Sequence, residues 1–193
     1  ETVLDQYRGE AIRWALLSGH YRQPLEWTAE LIENARSALD RLYRVLDDAQ
    51  RFLADADVPG DSGAGEAEYK AVRDALADDL NTPAAFAALF QLADVTRAAI
   101  MNRDAGKAAA ARDRLVEAGR LMGFLSDEPQ VWFQGGADDG LKARVEALLA
   151  ERQAARAAKN WPEADRIRAE LTALNVEVMD GAGGATWRIR EQA

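Results

Sequence analysis

The sequence predicts a mainly α fold: an antiparallel helical bundle followed by a small α+β unit of two helices and a short β-hairpin. Three observations predict it. Apolar residues recur at three- and four-residue spacing through most of positions 1–125. Turn formers interrupt that period at 20–24, 58–65, 81–83 and 123, so successive helices must fold back on one another. After Leu174 the period becomes two, in Val176, Val178 and Thr186 to Ile189, around the glycine-rich turn at 181–184.

Each element has a local reason. Leu4, Tyr7, Ala11, Trp14 and Ala15 share one face of a helix over about 3–18. Pro24 disfavours helix at the residue before it, and Thr28 is a good N-cap for a helix reaching about Ala56. Its expected stripe is Leu31, Ala35, Ala38, Leu42, Val45 and Leu46. A helix over 66–79 follows the loop at 58–65. Thr82 as N-cap and Pro83 at the first helical position restart the chain for a helix to about Arg103, carrying Phe86, Leu89, Phe90, Ala93 and Ile100. Another runs from about Ala105 to Met122, where Gly123 is placed to end it. Residues 126–140 read as a linker in which Trp132 and Phe133 dock on the bundle. In the terminal unit, 141–193, Leu141, Val145, Leu148 and Leu149 mark a helix to about Lys159. Asn160, Pro162 and Glu163 open the next helix, with Ala164, Ile167, Leu171 and Leu174 as its apolar stripe.

Composition excludes several function classes. The 193 residues contain no cysteine and one histidine, which removes disulfides, thiol catalysis, Cys-zinc sites and His-rich metal sites. The N-terminus lacks a signal-peptide plan, and no apolar run reaches bilayer-spanning length. Opening on Glu1 directly into helical pattern, the chain reads as part of something longer. The net charge of −9 argues against indiscriminate binding to a duplex. It is unevenly spread: 141–193 carries nine Lys/Arg against eight Asp/Glu, whereas 1–140 carries fifteen against twenty-five. Local RNA contact at the C-terminal end is compatible with that balance.

Several motifs have plain readings. GAGG at 181–184 opens no helix and reads as a hairpin turn rather than a phosphate cradle. The acidic pairs 47–48, 78–79 and 138–139 lack calcium-site spacing and read as solvated faces; His20 reads as a hydrogen-bonded loop residue. The stripe Trp161, Asp165, Arg168, at i, i+4 and i+7, is more open. Spacing alone is satisfied by a tryptophan stapling its helix and an ordinary Asp–Arg ion pair. It also permits a stacking platform beside an acceptor and a donor for unpaired bases, though spacing by itself favours the plain readings.

Three segments in order carry a resemblance. HYRQPLEW (20–27), DDLNTPAAFAALF (78–90) and RAAKNWPEADRIRAEL…VMDGAGGATWR (156–188) resemble segments of the C-terminal region of bacterial cysteinyl-tRNA synthetases, a class I family. Asn160, Met179 and Ala185 depart from the family's usual aspartate, glutamate and threonine or serine. The resemblance implies a stem-contacting bundle (1–125), a linker (126–140) and an anticodon-binding unit (141–193). It implies that Arg156, Trp161, Asp165, Arg168 and Asp180 face the anticodon of cysteine tRNA. The family's ATP motifs and cysteine-containing zinc site lie in an upstream catalytic domain, and none of these motifs occurs here. The resemblance therefore implies no catalytic residue, metal or cofactor in this chain, with ATP and zinc serving the upstream domain. It further implies a cytoplasmic, monomeric ligase without a membrane partner. Arg97, Arg103 and Lys107 are candidates for contact with the tRNA backbone.

Overall fold

A computed structural model describes residues 7–58, 60–135, 137–181 and 184–189, the side chain of Asp180 excepted. Among them are eight helices and one two-stranded sheet: α1 (Gly9–Leu17), α2 (Ala29–Leu53), α3 (Glu66–Ala77), α4 (Thr82–Met101), α5 (Ala105–Leu121), α6 (Pro129–Gln134), α7 (Asp139–Ala157), α8 (Trp161–Ala173), β1 (Val176–Gly181) and β2 (Gly184–Ile189). They form two compact units, 1–129 and 130–193.

In the first unit α4 packs against α2, α3 and α5, and α1 lies on α2. An aromatic cluster ties the two ends of this unit together in sequence. Trp14 stacks on Phe86 with centroids 4.1 Å apart and also packs on Phe124 at 4.9 Å. Trp14 is the buried end of the expected stripe of α1; Leu4 lies outside the described residues. Ala35, Leu42, Val45 and Leu46 of the expected α2 stripe are buried; at two positions the stripe shifts by one residue, with Ile32 and Leu39 buried where Leu31 and Ala38 are only partly so. Tyr43, also buried, donates to Glu10 (2.8 Å), whose other oxygen accepts from Leu125 N–H. Burial pushes the Glu10 carboxyl above its ordinary range.

By length and composition α4 is, among the described residues, a helix apolar enough to cross a bilayer, contrary to the sequence expectation. Alanines raise its hydropathy, and as the bundle's central helix it buries Phe86, Leu89, Leu92 and Ala93 against its neighbours. A second correction concerns its start. Asn81, not Thr82, is the N-cap, accepting from Ala84 N–H at 3.2 Å. The Thr82 hydroxyl instead turns back 3.4 Å to the carbonyl of Gly19. Tyr21 and Arg22 reach the same corner, donating to Asp79 at 2.6 and 3.1 Å. The HYR and DDLNTP segments thus form one structural joint.

Arg114 pins the loop before α3 to α5. It makes a two-pronged ion pair with Asp61 (2.8 and 2.9 Å) and donates to Glu66 (2.9 Å). The Arg114 guanidinium, and after it Gly63 N–H at 2.9 Å, hold the Asp61 carboxyl down to about 2. Gly65 at φ +83° completes the joint, since a Cβ there would sit 2.8 Å from Leu92 Cδ2. At the end of α5, Gly123 takes φ +78°, letting Gly123 N–H reach Arg120 O (3.0 Å) and Phe124 N–H reach Gly119 O (2.8 Å).

The expected linker contains α6, with Trp132 and Phe133 each 6% exposed. Proline is preorganised for the helix start it occupies here. In the second unit α7, α8 and the hairpin share one core: Val145, Leu148, Ile167, Leu171, Val176 and Trp187. The strands pair Val176 with Ile189, Val178 with Trp187 and Gly181 with Gly184; residues 182–183, the middle of the expected GAGG turn, lie outside the described residues. A 2.6 Å Arg188–Glu177 ion pair ties the strands on the opposite face.

Candidate nucleic-acid interface

The small unit is organised around the corner joining α7 to α8. Ala158 ends α7, and Lys159 turns into the left-handed region at φ +56°. Lys159 N–H then donates to Arg156 O (3.0 Å) and Asn160 N–H to Ala155 O (2.8 Å). Asn160 serves twice: its N–H closes α7, and its side chain caps α8 through Glu163 N–H (3.4 Å). One tight corner therefore fixes Arg156, in the last turn of α7, relative to Trp161, the first residue of α8.

At about 100° per residue, α8 divides into three faces. Ala164, Ile167 and Leu171 are buried and face the core. On one side of it runs an ion ladder. Arg166 bonds Glu163 (2.7 and 3.0 Å) and Glu170 (3.1 Å), and Arg144 of α7 reaches Glu170 at 3.0 Å. These bonds hold Glu163 and Glu170 below the usual carboxylate range, chiefly through Arg166 and Arg144 respectively. On the other side, roughly a quarter turn from the core, lies the stripe Trp161, Asp165, Arg168.

Both plain readings of that stripe fail against the geometry. Trp161 is 57% exposed, so it does not staple α8 to a neighbour. Asp165 and Arg168 are exposed, and among the described residues neither side chain has an ion-pair or hydrogen-bond partner, each other included. The paired cation of α8 is Arg166, one position away on the ladder face. Arg156 is exposed and carries contacts of its own. Asp180 stands in β1 opposite Ala185, and its side chain lies outside the described residues. The structure therefore places Arg156, Trp161, Asp165 and Arg168 on the exposed surface of one corner and one helix face.

The other polar motifs are committed elsewhere. Asp47, 4% exposed, pairs with Arg51 at 3.3 Å; Asp79 holds the HYR loop; Asp138 caps α7 by accepting from Leu141 N–H at 2.7 Å. His20 stacks on Tyr21 and accepts from Arg22 N–H at 3.3 Å. Among the described residues no three His, Asp or Glu side chains converge as a metal site. Of the three bundle cations, Arg97 pairs with Asp94 (2.9 Å) and Lys107 with Asp104 (3.0 Å). Arg103 alone has no partner among the described residues.

Comparison with known proteins places these units. Residues 138–188 match the family described as the cysteinyl-tRNA ligase anticodon binding domain, and residues 71–126 match the DALR domain. A cysteine–tRNA ligase of Phenylobacterium zucineum is 66% identical over 191 residues, covering 99% of this chain and 39% of that protein. One from Caulobacter sp. (strain K31) is 52% identical over 189 residues, covering 98% and 39%. One from Rhodospirillum rubrum is 44% identical over 189 residues, covering 96% and 39%. The chain thus spans about two-fifths of the length of these relatives. It belongs to the cysteine–tRNA ligase family, of which it carries the DALR and anticodon-binding domains.

Proposed function

We propose that this chain docks tRNA for a cysteine–tRNA ligase, with residues 130–193 reading the anticodon of cysteine tRNA through Arg156, Trp161, Asp165, Arg168 and Asp180. The observation that carries the reading is the uncommitted stripe on α8. A packed aromatic and a satisfied ion pair would be surface structure. An exposed Trp161 beside an Asp165 and an Arg168 that have no partner among the described residues suits a recognition surface.

The chemistry fits unpaired bases. Trp161 offers a stacking face worth about 1–3 kcal/mol per base. Asp165 and Asp180 accept from base N–H groups, as a guanine edge or a cytosine amine supplies. Arg156 and Arg168 donate to base acceptors or phosphates. Carboxylates repel the RNA backbone, so their cost is repaid in discrimination rather than in bulk affinity. The bundle acts as a strut toward a catalytic domain of the same protein, where ATP and zinc serve cysteine activation; the ligase works in the cytoplasm as a monomer.

The test uses a full-length ligase carrying this region. Trp161→Ala slows tRNA charging and leaves ATP-dependent cysteine activation near normal. An equal loss in both steps would contradict a direct anticodon role.

A further inference from the structure

We infer that Lys159 is a further RNA contact, a phosphate-binding residue beside the Trp161 platform. The inference rests on the anticodon-reading role proposed above, and it starts from a sorting of the small unit's cations. Lys142 pairs with Asp139 at 3.8 Å, Arg144 and Arg166 join the ladder, and Arg188 pairs with Glu177. Arg152 and Arg156 have contacts of their own. Lys159 and Arg168 remain without a partner among the described residues of this unit. Both stand within two turns of Trp161, one on each side of it in sequence.

Backbone conformation gives the second observation. Lys159 occupies, at φ +56°, the position after a helix C-cap that glycine usually fills because a Cβ is disfavoured there. Its side chain is exposed and contributes no bond to the corner, which is closed by backbone N–H groups and by Asn160. Glycine would serve the fold at least as well. What lysine adds is a mobile positive charge two residues from an exposed indole. A base stacked on that indole carries its phosphates alongside, and an ammonium on a flexible stem suits a phosphate as a point charge.

The experiment titrates the 193-residue chain with the anticodon stem-loop of cysteine tRNA between about 50 and 200 mM monovalent salt, following affinity and thermal stability together. Lys159→Gly should not lower the melting temperature. It should weaken binding by about five- to eightfold at 0.1 M salt and make the salt dependence shallower by about 0.7–0.9 in log–log slope, the signature of one lost phosphate contact. Lys159→Arg should restore both. Wild-type affinity and slope in Lys159→Gly, with Trp161→Ala still weakening binding, would overturn the Lys159 assignment and leave the anticodon reading standing. No binding by the wild-type chain at low salt would overturn both.

Discussion

Two helix–helix corners, one in each unit, are built alike but lead into different surfaces. Between α4 and α5, Asn102 ends the first helix, Arg103 takes φ +55°, and Asp104 both closes α4 through its N–H and caps α5 through its side chain. Between α7 and α8, Ala158, Lys159 (φ +56°) and Asn160 repeat that plan. After the first corner comes packing: Gly106, Ala108 and Ala109 are buried, and Lys107 folds onto Asp104. After the second comes exposure, in Trp161 and in Asp165 and Arg168, which have no partner among the described residues. A corner of this kind is a rigid mount. Whether it is structural or functional is decided by what the next turn leaves unsatisfied.

The largest effect should separate the units themselves. Ile167, fully buried, anchors the small unit's core. Ile167→Ala should cost about 2–5 kcal/mol and abolish RNA binding while the bundle keeps its own unfolding transition. Arg168→Ala, its neighbour on the open face, should leave both transitions in place and weaken binding only. Calorimetry with a stem-loop titration distinguishes them, and a single merged transition in Ile167→Ala would break the separation.

The caps come next. Asp104→Ala and Asn160→Ala should each cost about 1 kcal/mol, the first in the bundle's transition and the second in the small unit's. Only Asn160→Ala should also weaken RNA binding, because that corner sets Arg156 against Trp161.

Glycine replacements sharpen the comparison further. Arg103→Gly and Lys159→Gly relieve the same backbone conformation and should each stabilise by up to about 1 kcal/mol. Equal gains in denaturant midpoint, with stem-loop affinity weakened only in Lys159→Gly, would confirm that one plan serves two ends.

The smallest effect lies in the bundle alone. Asp61 is held at about 2 against an ordinary 3.8, so its pairing with Arg114 stabilises the folded state above pH 4. That contribution should fade as pH falls from about 4 toward 2. Arg114→Gln should reduce this pH dependence in the bundle's transition, leaving the part due to Gly63 N–H, without altering the small unit's.

Much of this was legible in the sequence. Thr28, Gly123 and the Asn160–Pro162 start are local signals, and each stands where its chemistry puts it. The start of α4 was misplaced by one residue because a contact 63 positions away claims the Thr82 hydroxyl. No local pattern reports such a bond. The stripe of α2 is legible at Ala35, Leu42, Val45 and Leu46 but shifts by one residue to Ile32 and Leu39, because packing partners set which edge of the face is buried. The left-handed corners were hidden because Arg103 and Lys159 stand where glycine is the usual sign. For the site, spacing located Trp161, Asp165 and Arg168 but could not say whether the pair was satisfied. Only side-chain geometry shows that Arg166 takes the ladder and leaves Arg168 open.

The most direct measurement is a titration of this chain with the anticodon stem-loop of cysteine tRNA beside a loop carrying a different anticodon, at low and moderate salt. The account predicts preference for the cognate loop that survives moderate salt, because base contacts discriminate and phosphate contacts do not. Equal affinity for both loops, vanishing as salt rises, would contradict it.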